Sequence, residues 1–146
     1  MRYMGLDYGT KTVGVALSDE RFILAQPYTT IEREKADKLR RTLAALEEIV
    51  KEQNVGKIIL GYPKYLNNTE GDRCEATVQF KEKLEKRLGL PVELWDERLT
   101  TVEADRILDD MGVAGSSHKT YVDKIAASLI LQNYLDRLQS EDREKS

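Results

Sequence analysis

Apolar positions along this chain change their period several times, and each change marks an element. Tyr3–Tyr8 and Thr12–Ser18 are apolar runs joined by Gly9-Thr10-Lys11, which predicts two strands and a tight turn. A third strand is predicted over Phe22–Ile31, where Pro27 implies a bulge or an edge position. The period then becomes helical over Ala36–Gln53: Leu39, Leu43, Leu46 and Val50 recur on one side, and Lys38, Arg40, Arg41, Glu47, Glu48 and Lys51 form the other. Lys57–Leu60 is a short apolar run of the kind buried in a parallel sheet, closed by Gly61-Tyr62-Pro63. A polar loop, Lys64–Asp72, leads into a helix over Arg73–Leu88 with Thr77, Phe80, Leu84 and Leu88 on one side. Gly89 stops that helix and Pro91 opens a strand over Val92–Trp95. Thr100 and Glu103 make a capping box for a helix ending at Met111. Gly112–Ser117 is a flexible connection, and a last helix spans Lys119–Leu138.

This order of strands and helices predicts an α/β fold: a mixed five-stranded sheet flanked by helices, antiparallel on one side and parallel on the other. At 146 residues the chain has the size of one domain. Residues 1–139 are expected to form it, leaving SEDREKS, residues 140–146, as a charged, disordered tail. Hydrophobic residues make up 40% of the chain, but no run approaches the length of a membrane span, so no membrane partner is expected. No signal-peptide pattern precedes the first strand, and the single cysteine, Cys74, cannot form an internal disulfide; both point to the cytoplasm. Asn67-Asn68-Thr69 has the form of a glycosylation acceptor and carries no meaning there. The net charge of -3 argues against a generally basic nucleic-acid binder, so any such contact needs a local patch.

Carboxylates stand at three places that a soluble fold does not require. Asp7 lies in an apolar strand whose side chains alternate, Tyr3, Gly5 and Asp7 on one face and Met4, Leu6 and Tyr8 on the other. It is either a turn-capping aspartate or a carboxylate held at the rim of a sheet to bind a metal. Asp96 and Glu97 follow an apolar strand at its C-terminal end, where open α/β sheets place their ligands; they alternate in direction, so one of them pairs more readily with Arg98. Asp123 shares a helical stripe with Ala127 and Ile130. The helix macrodipole explains an acid early in the helix but not the apolar side it occupies. Hard oxygen ligands without nearby His or Cys select Mg²⁺ or Mn²⁺. Such a cluster, holding two ions ~4 Å apart, suits in-line attack of water on a phosphodiester. Lys11, Lys64, Arg73, Arg98 and Lys119 fall in loops or at helix starts and are the candidate contacts to a nucleic-acid backbone. The lone His118 reads as a loop residue and Cys74 as packing, so covalent catalysis is not expected.

Four segments, GLDYGTKTVGVALSD, GYPKYLNNTEGDR, DERLTTVEA and VDKIAASLILQNYL, together resemble the signature segments of the YqgF family in order and spacing. That family comprises ribonuclease H-like proteins described as Holliday-junction resolvases and as nucleases of pre-16S ribosomal RNA. The resemblance implies a ribonuclease H-like fold, a bacterial cytosolic setting and a divalent-metal nuclease. It places Asp7, Glu97 and Asp123 in the acidic site, with Asp96 as an accessory acid. Its implied partners are pre-rRNA or branched DNA, with association with the ribosome and a monomer or homodimer. Two positions depart from the pattern. Related resolvases carry an acid at the end of the fourth strand, where this chain has Gly61-Tyr62-Pro63-Lys64. Many members precede the final helix with a run of Arg and Lys, where this chain has Gly115-Ser116-Ser117-His118-Lys119-Thr120.

Processing of the 5′ end of pre-16S rRNA is the leading expectation, ahead of junction resolution, which needs a dimer with two active sites. A non-catalytic assembly factor that keeps the fold is a third class. The Asp-x-Gly hairpin also resembles the phosphate loop of actin-like sugar kinases and ATPases. Those enzymes close a second domain over ATP, and 146 residues do not supply one.

Overall fold

The computed structural model describes residues 1–9, 12–32, 39–62, 70–96 and 115–145, with side chains described except at 70–74, 96, 115–123 and 142–145. Strands β1 (Arg2–Tyr8), β2 (Thr12–Ser18) and β3 (Ala25–Glu32) form a meander. Helix α1 (Leu39–Gln53), strand β4 (Val55–Tyr62), helix α2 (Glu70–Leu88), strand β5 (Val92–Asp96) and helix α3 (Gly115–Lys145) follow. The sheet order is β3-β2-β1-β4-β5, with β1 antiparallel to β2 and parallel to β4, and β4 parallel to β5. The mixed five-stranded sheet expected from the element order is therefore present. Pro27 meets both of its expected conditions, because β3 is an edge strand and its register with β2 slips to leave Tyr28 as an extra residue beside Pro27.

Alternation along the strands builds a core on each face of the sheet. Met4 and Leu6 of β1, Val13, Val15 and Leu17 of β2 and Ile58 and Leu60 of β4 pack with Leu43, Leu46 and Ile49 of α1 and Phe80 and Leu84 of α2. On this face the Tyr8 ring stacks on Phe80 at 4.1 Å. The opposite face carries smaller strand residues, Ala16 of β2 among them, and receives Ala127, Ile130, Leu131, Tyr134 and Leu135 of α3. Small residues on this side let α3 lie close. Gly5 is the extreme: a Cβ there would stand 2.7 Å from the Leu131 Cβ and 2.8 Å from the Ala127 carbonyl oxygen. Two helices end in left-handed residues, α1 at Asn54 (φ 54°) and α2 at Gly89 (φ 67°).

Several boundaries move from their expected places. Phe22 belongs to a turn instead of β3, with φ 60°. The turn is set by Asp19, whose carboxylate accepts from the backbone N–H groups of Ile23 at 2.7 Å and Leu24 at 3.0 Å. Donation from Leu24, opposed by slight burial and reinforced by Ile23, holds this carboxyl below its ordinary pKa. Phe22 compensates by stacking on Tyr3 at 4.3 Å, and its carbonyl accepts from the Gln139 side chain at 3.2 Å. Strand β4 takes in Gly61 and Tyr62, because β5 pairs with both and extends the parallel ladder. Helix α2 begins at Glu70, inside the expected loop. Helix α3 begins at Gly115, so His118 and Lys119 are helical and the expected connection 115–117 is part of the helix. Docking of a long helix on the sheet overrides the weak local propensity of glycine and serine. At its other end α3 runs through the expected tail to Lys145, supported by an Arg137–Glu141 pair at 3.4 Å. The helix expected over Thr100–Met111 lies outside the described residues.

Replacing Gly5 by alanine is expected to destabilise the protein by about 1–3 kcal/mol, because the atoms its Cβ would meet are a Cβ and a backbone oxygen that cannot swing away. Gly89→Ala, where nothing lies within 4 Å, should cost only about 1 kcal/mol for its left-handed backbone. Urea unfolding of the two variants measures the difference. A Gly5→Ala midpoint at or above wild type would show that α3 does not press on β1.

Candidate active site

Parallel strands deliver their C-terminal ends to one edge of the sheet, and β1, β4 and β5 do so here. Asp7 is the penultimate residue of β1, half-buried and opposite Gly14 of β2. Alternation puts it on the face of Tyr3 and Gly5, which is the α3 face. Strand and helix run in opposite directions there. The Tyr3 ring lies 6.1 Å from that of Tyr134, and Gly5 lies under Leu131 and Ala127. Two residues further along β1 is Asp7, an advance of ~6.6 Å. Four residues further toward the start of α3 is Asp123, an advance of ~6 Å. The two backbones therefore stay in step as they approach the sheet edge.

On the other side of β1, Gly61 pairs with Trp95 and Tyr62 with Asp96, the last residue of β5. Leu6 pairs with Leu60, so Asp7, Gly61 and Trp95 form a row across three adjacent strands. The row's middle member has no side chain. Glu97, Arg98, Lys11 and Lys64 lie outside the described residues. Arg73 is in the first turn of α2 and Lys119 in the second turn of α3, each described as backbone. Cys74 follows Arg73 on α2. Among the described residues no three His, Cys, Asp or Glu side chains group as a metal site; Glu97 and the side chains of Asp96 and Asp123 are not among those described.

Beside this edge is a cleft that periodicity did not reveal. Its volume is about 260 Å³, and Glu93, Trp95, Tyr134, Arg137, Leu138 and Glu141 line it. Trp95 meets Tyr134 edge-on at 5.3 Å, and the Arg137 guanidinium stands 5.5 Å over the Trp95 ring. Lys57 of β4 supports the cleft from beneath. Its ammonium donates to the Tyr134 hydroxyl at 2.7 Å and to the Glu93 carboxylate at 3.4 Å. Partial burial opposes the Lys57 charge, but the Tyr134 hydrogen bond and the Glu93 carboxylate outweigh it, and the pKa is raised. The available signal was the spacing of Tyr134, Arg137, Leu138 and Glu141, which puts four residues of mixed character on one helical stripe beside a strand tryptophan.

Residues 1–137 match the family described as RuvX, Holliday junction resolvase. A protein of Agathobacter rectalis named "Putative pre-16S rRNA nuclease" is 54% identical over 140 residues, 96% of this chain and 98% of that protein. One of Lachnospira eligens with the same name is 52% identical over 139 residues, 95% of this chain and 99% of that protein. The structure of Thermus thermophilus RuvC in complex with a Holliday junction substrate superposes with a TM-score of 0.61 at 14% identity, covering 95% of this chain and 96% of that one. At that identity the likeness is one of fold: the five-stranded sheet and its flanking helices have the ribonuclease H-like arrangement.

Tyr134→Phe should lower stability by about 0.5–1.5 kcal/mol, since it strands the Lys57 ammonium with Glu93 alone. Because the folded pKa of Lys57 is raised, its contribution is complete below the ordinary lysine value and disappears as pH rises through the folded one. The gap between wild type and variant should therefore be constant at neutral pH and close on the alkaline side. Thermal melts across that range read it, and a gap that widens with pH would contradict the assigned pairing.

Proposed function

This chain belongs to the RuvX family, and we propose that it is a divalent-metal-dependent endonuclease that hydrolyses a phosphodiester bond at the 5′ end of pre-16S rRNA in the cytoplasm. The observation that carries the substrate is the near full-length likeness to relatives named for that activity at about half identity. The geometry supports the reaction class. Asp7 sits at the C-terminal end of the central strand, held by ladders to β2 on one side and β4 on the other, with α3 packed over the same face. Among the described residues no helix is long and apolar enough to cross a membrane.

Asp7, Glu97 and Asp123 are the proposed ligands of Mg²⁺ or Mn²⁺, and Asp96 the accessory acid. An all-carboxylate set fits these hard ions better than Zn²⁺, and Asp7 is exposed enough to be reached. Bound there, the ions supply an acidified water and charge stabilisation at the phosphoryl group. The chain's own contribution is position. Asp7 lies one residue before the end of a strand paired on both sides, so its backbone is fixed before substrate arrives. Lys11, Lys64, Arg73, Arg98 and Lys119 hold the strand by its phosphates, contributing affinity and salt dependence instead of chemistry. A monomer satisfies this scheme, and association with the ribosomal precursor supplies the substrate. Resolution of a four-way DNA junction is the second reading. The family description and the resolvase fold favour it, and it requires a homodimer.

Cleavage of a labelled pre-16S 5′ segment and of a four-way junction, run side by side, tests both readings. The rRNA segment should be cut with Mg²⁺ or Mn²⁺ and left uncut with Ca²⁺, which accepts the same oxygens at longer distances and looser geometry. Asp7→Asn should lose roughly a hundredfold or more in rate while keeping most of its RNA affinity. Cys74→Ser and His118→Ala should cut at the wild-type rate. Cutting of the junction alone would favour resolution, and metal-independent cutting, or full activity in Asp7→Asn, would end the proposal.

A further inference from the structure

We propose that the cleft between β5 and α3 is a subsite for one unpaired base, guanine in preference to uracil, of the RNA strand whose phosphates cross the Asp7 edge. The proposal rests on the nuclease reading and adds the feature of the substrate that would position the cut. The cleft's aromatic element, Trp95, is half-buried, with its ring at right angles to that of Tyr134 and one face under Arg137. An indole with a guanidinium above it is a stacking site for a nucleobase, because every base has a π face and arginine stacks on it as well. Arg137 is free to admit one: its side chain is 67% exposed and its ion pair with Glu141 is a surface contact at 3.4 Å.

Charge decides that the ligand is a base and not a phosphate. Glu93 and Glu141 line the cleft and are paired with Lys57 and Arg137, so the cleft is close to neutral and offers an anion no net attraction. Carboxylates accept, so they recognise a base edge that donates. Guanine offers adjacent donors, N1–H and N2–H₂, that a carboxylate can accept together, whereas uracil offers a single N–H. Glu93 is already oriented for this by Lys57, which Tyr134 holds in turn.

Position ties the cleft to the reaction. Trp95 and Asp7 lie in one row on the α3 face with Gly61 between them, two strand spacings or ~10 Å apart. The residue between them in the row, Gly61, has no side chain. Trp95 is also two residues before Glu97, which limits their Cα separation to ~7 Å. A base held on Trp95 would thus bring a neighbouring phosphate to the acidic edge.

Trp95 is the chain's only tryptophan, so its fluorescence reports the subsite directly. The full chain is titrated in EDTA with fluorescein-labelled uridine hexamers, with and without one central guanosine, and with GMP; anisotropy and Trp95 emission are read together. The guanosine hexamer should quench Trp95 and bind about tenfold tighter than the uridine hexamer, and GMP should not quench in the same concentration range. Trp95→Ala should lose about tenfold in hexamer affinity. Should that variant fail to fold, Glu93→Gln keeps the tryptophan and should abolish the preference for guanosine. RNA binding without quenching, equal affinity for both hexamers, no binding, or quenching by GMP at the same concentration would each overturn the subsite. Cleavage of the pre-16S segment with Mn²⁺ is scored separately. Cutting without quenching removes the subsite and leaves the nuclease, and quenching without cutting does the reverse.

Discussion

The contact between α3 and β1 at Gly5 sets the geometry on which the rest depends. With a hydrogen in place of a side chain at residue 5, the helix backbone comes against the strand, at Ala127 and Leu131. That proximity fixes the register of the two elements as well as their distance. Residues two along the strand and four along the helix then advance by nearly equal lengths, so the backbones of Asp7 and Asp123 approach the same sheet edge together. A larger residue at position 5 would push the helix outward, and the offset would be carried to both acids. The small residues of β2 on the same face, Gly14, Ala16 and Ser18, extend the surface on which α3 lies.

Much of this was legible in the sequence. Period-two alternation in β1 separated Met4 and Leu6 from Tyr3 and Gly5, and the structure puts the pairs in different cores. Helical spacing in α1 and α2 named Leu43, Leu46, Thr77, Phe80 and Leu84, which are buried, and Leu39, Val50 and Leu88, which are partly so, but it missed the buried Thr42 and Ile49. Boundaries were less legible, because they depend on partners distant in sequence. Gly61 and Tyr62 read as a strand break and are strand because β5 pairs with them. Phe22 reads as strand and is turn because the Asp19 carboxylate captures two backbone donors. The start of α3 at Gly115 goes against the propensity of its own residues and follows from packing further along the helix. The acids of the proposed site were legible one at a time. That Asp7 and Trp95 share a row with Gly61 between them follows only from the register.

That row gives a physical sense to one departure from the pattern of related resolvases. Where those proteins carry an acid at the end of the fourth strand, this chain has a glycine, flanked by a carboxylate on one neighbouring strand and an indole on the other. An acid there would add charge to the edge, whereas the glycine adds none. Charge is arranged to match: Lys57, Glu93, Arg137 and Glu141 neutralise one another around the cleft, consistent with an uncharged ligand.

The account stands on three acids from β1, the residue after β5, and α3 acting as one metal site. Calorimetric titration of Mn²⁺ into wild type, Asp7→Asn, Glu97→Gln, Asp123→Asn and the Asp7→Asn/Asp123→Asn double variant tests that most directly. Each single change is predicted to weaken Mn²⁺ binding by about tenfold or more, and the double variant to lose less than the sum of the singles, as residues sharing one partner do. Wild-type Mn²⁺ affinity in Asp123→Asn, or strict additivity in the double variant, would contradict a shared site.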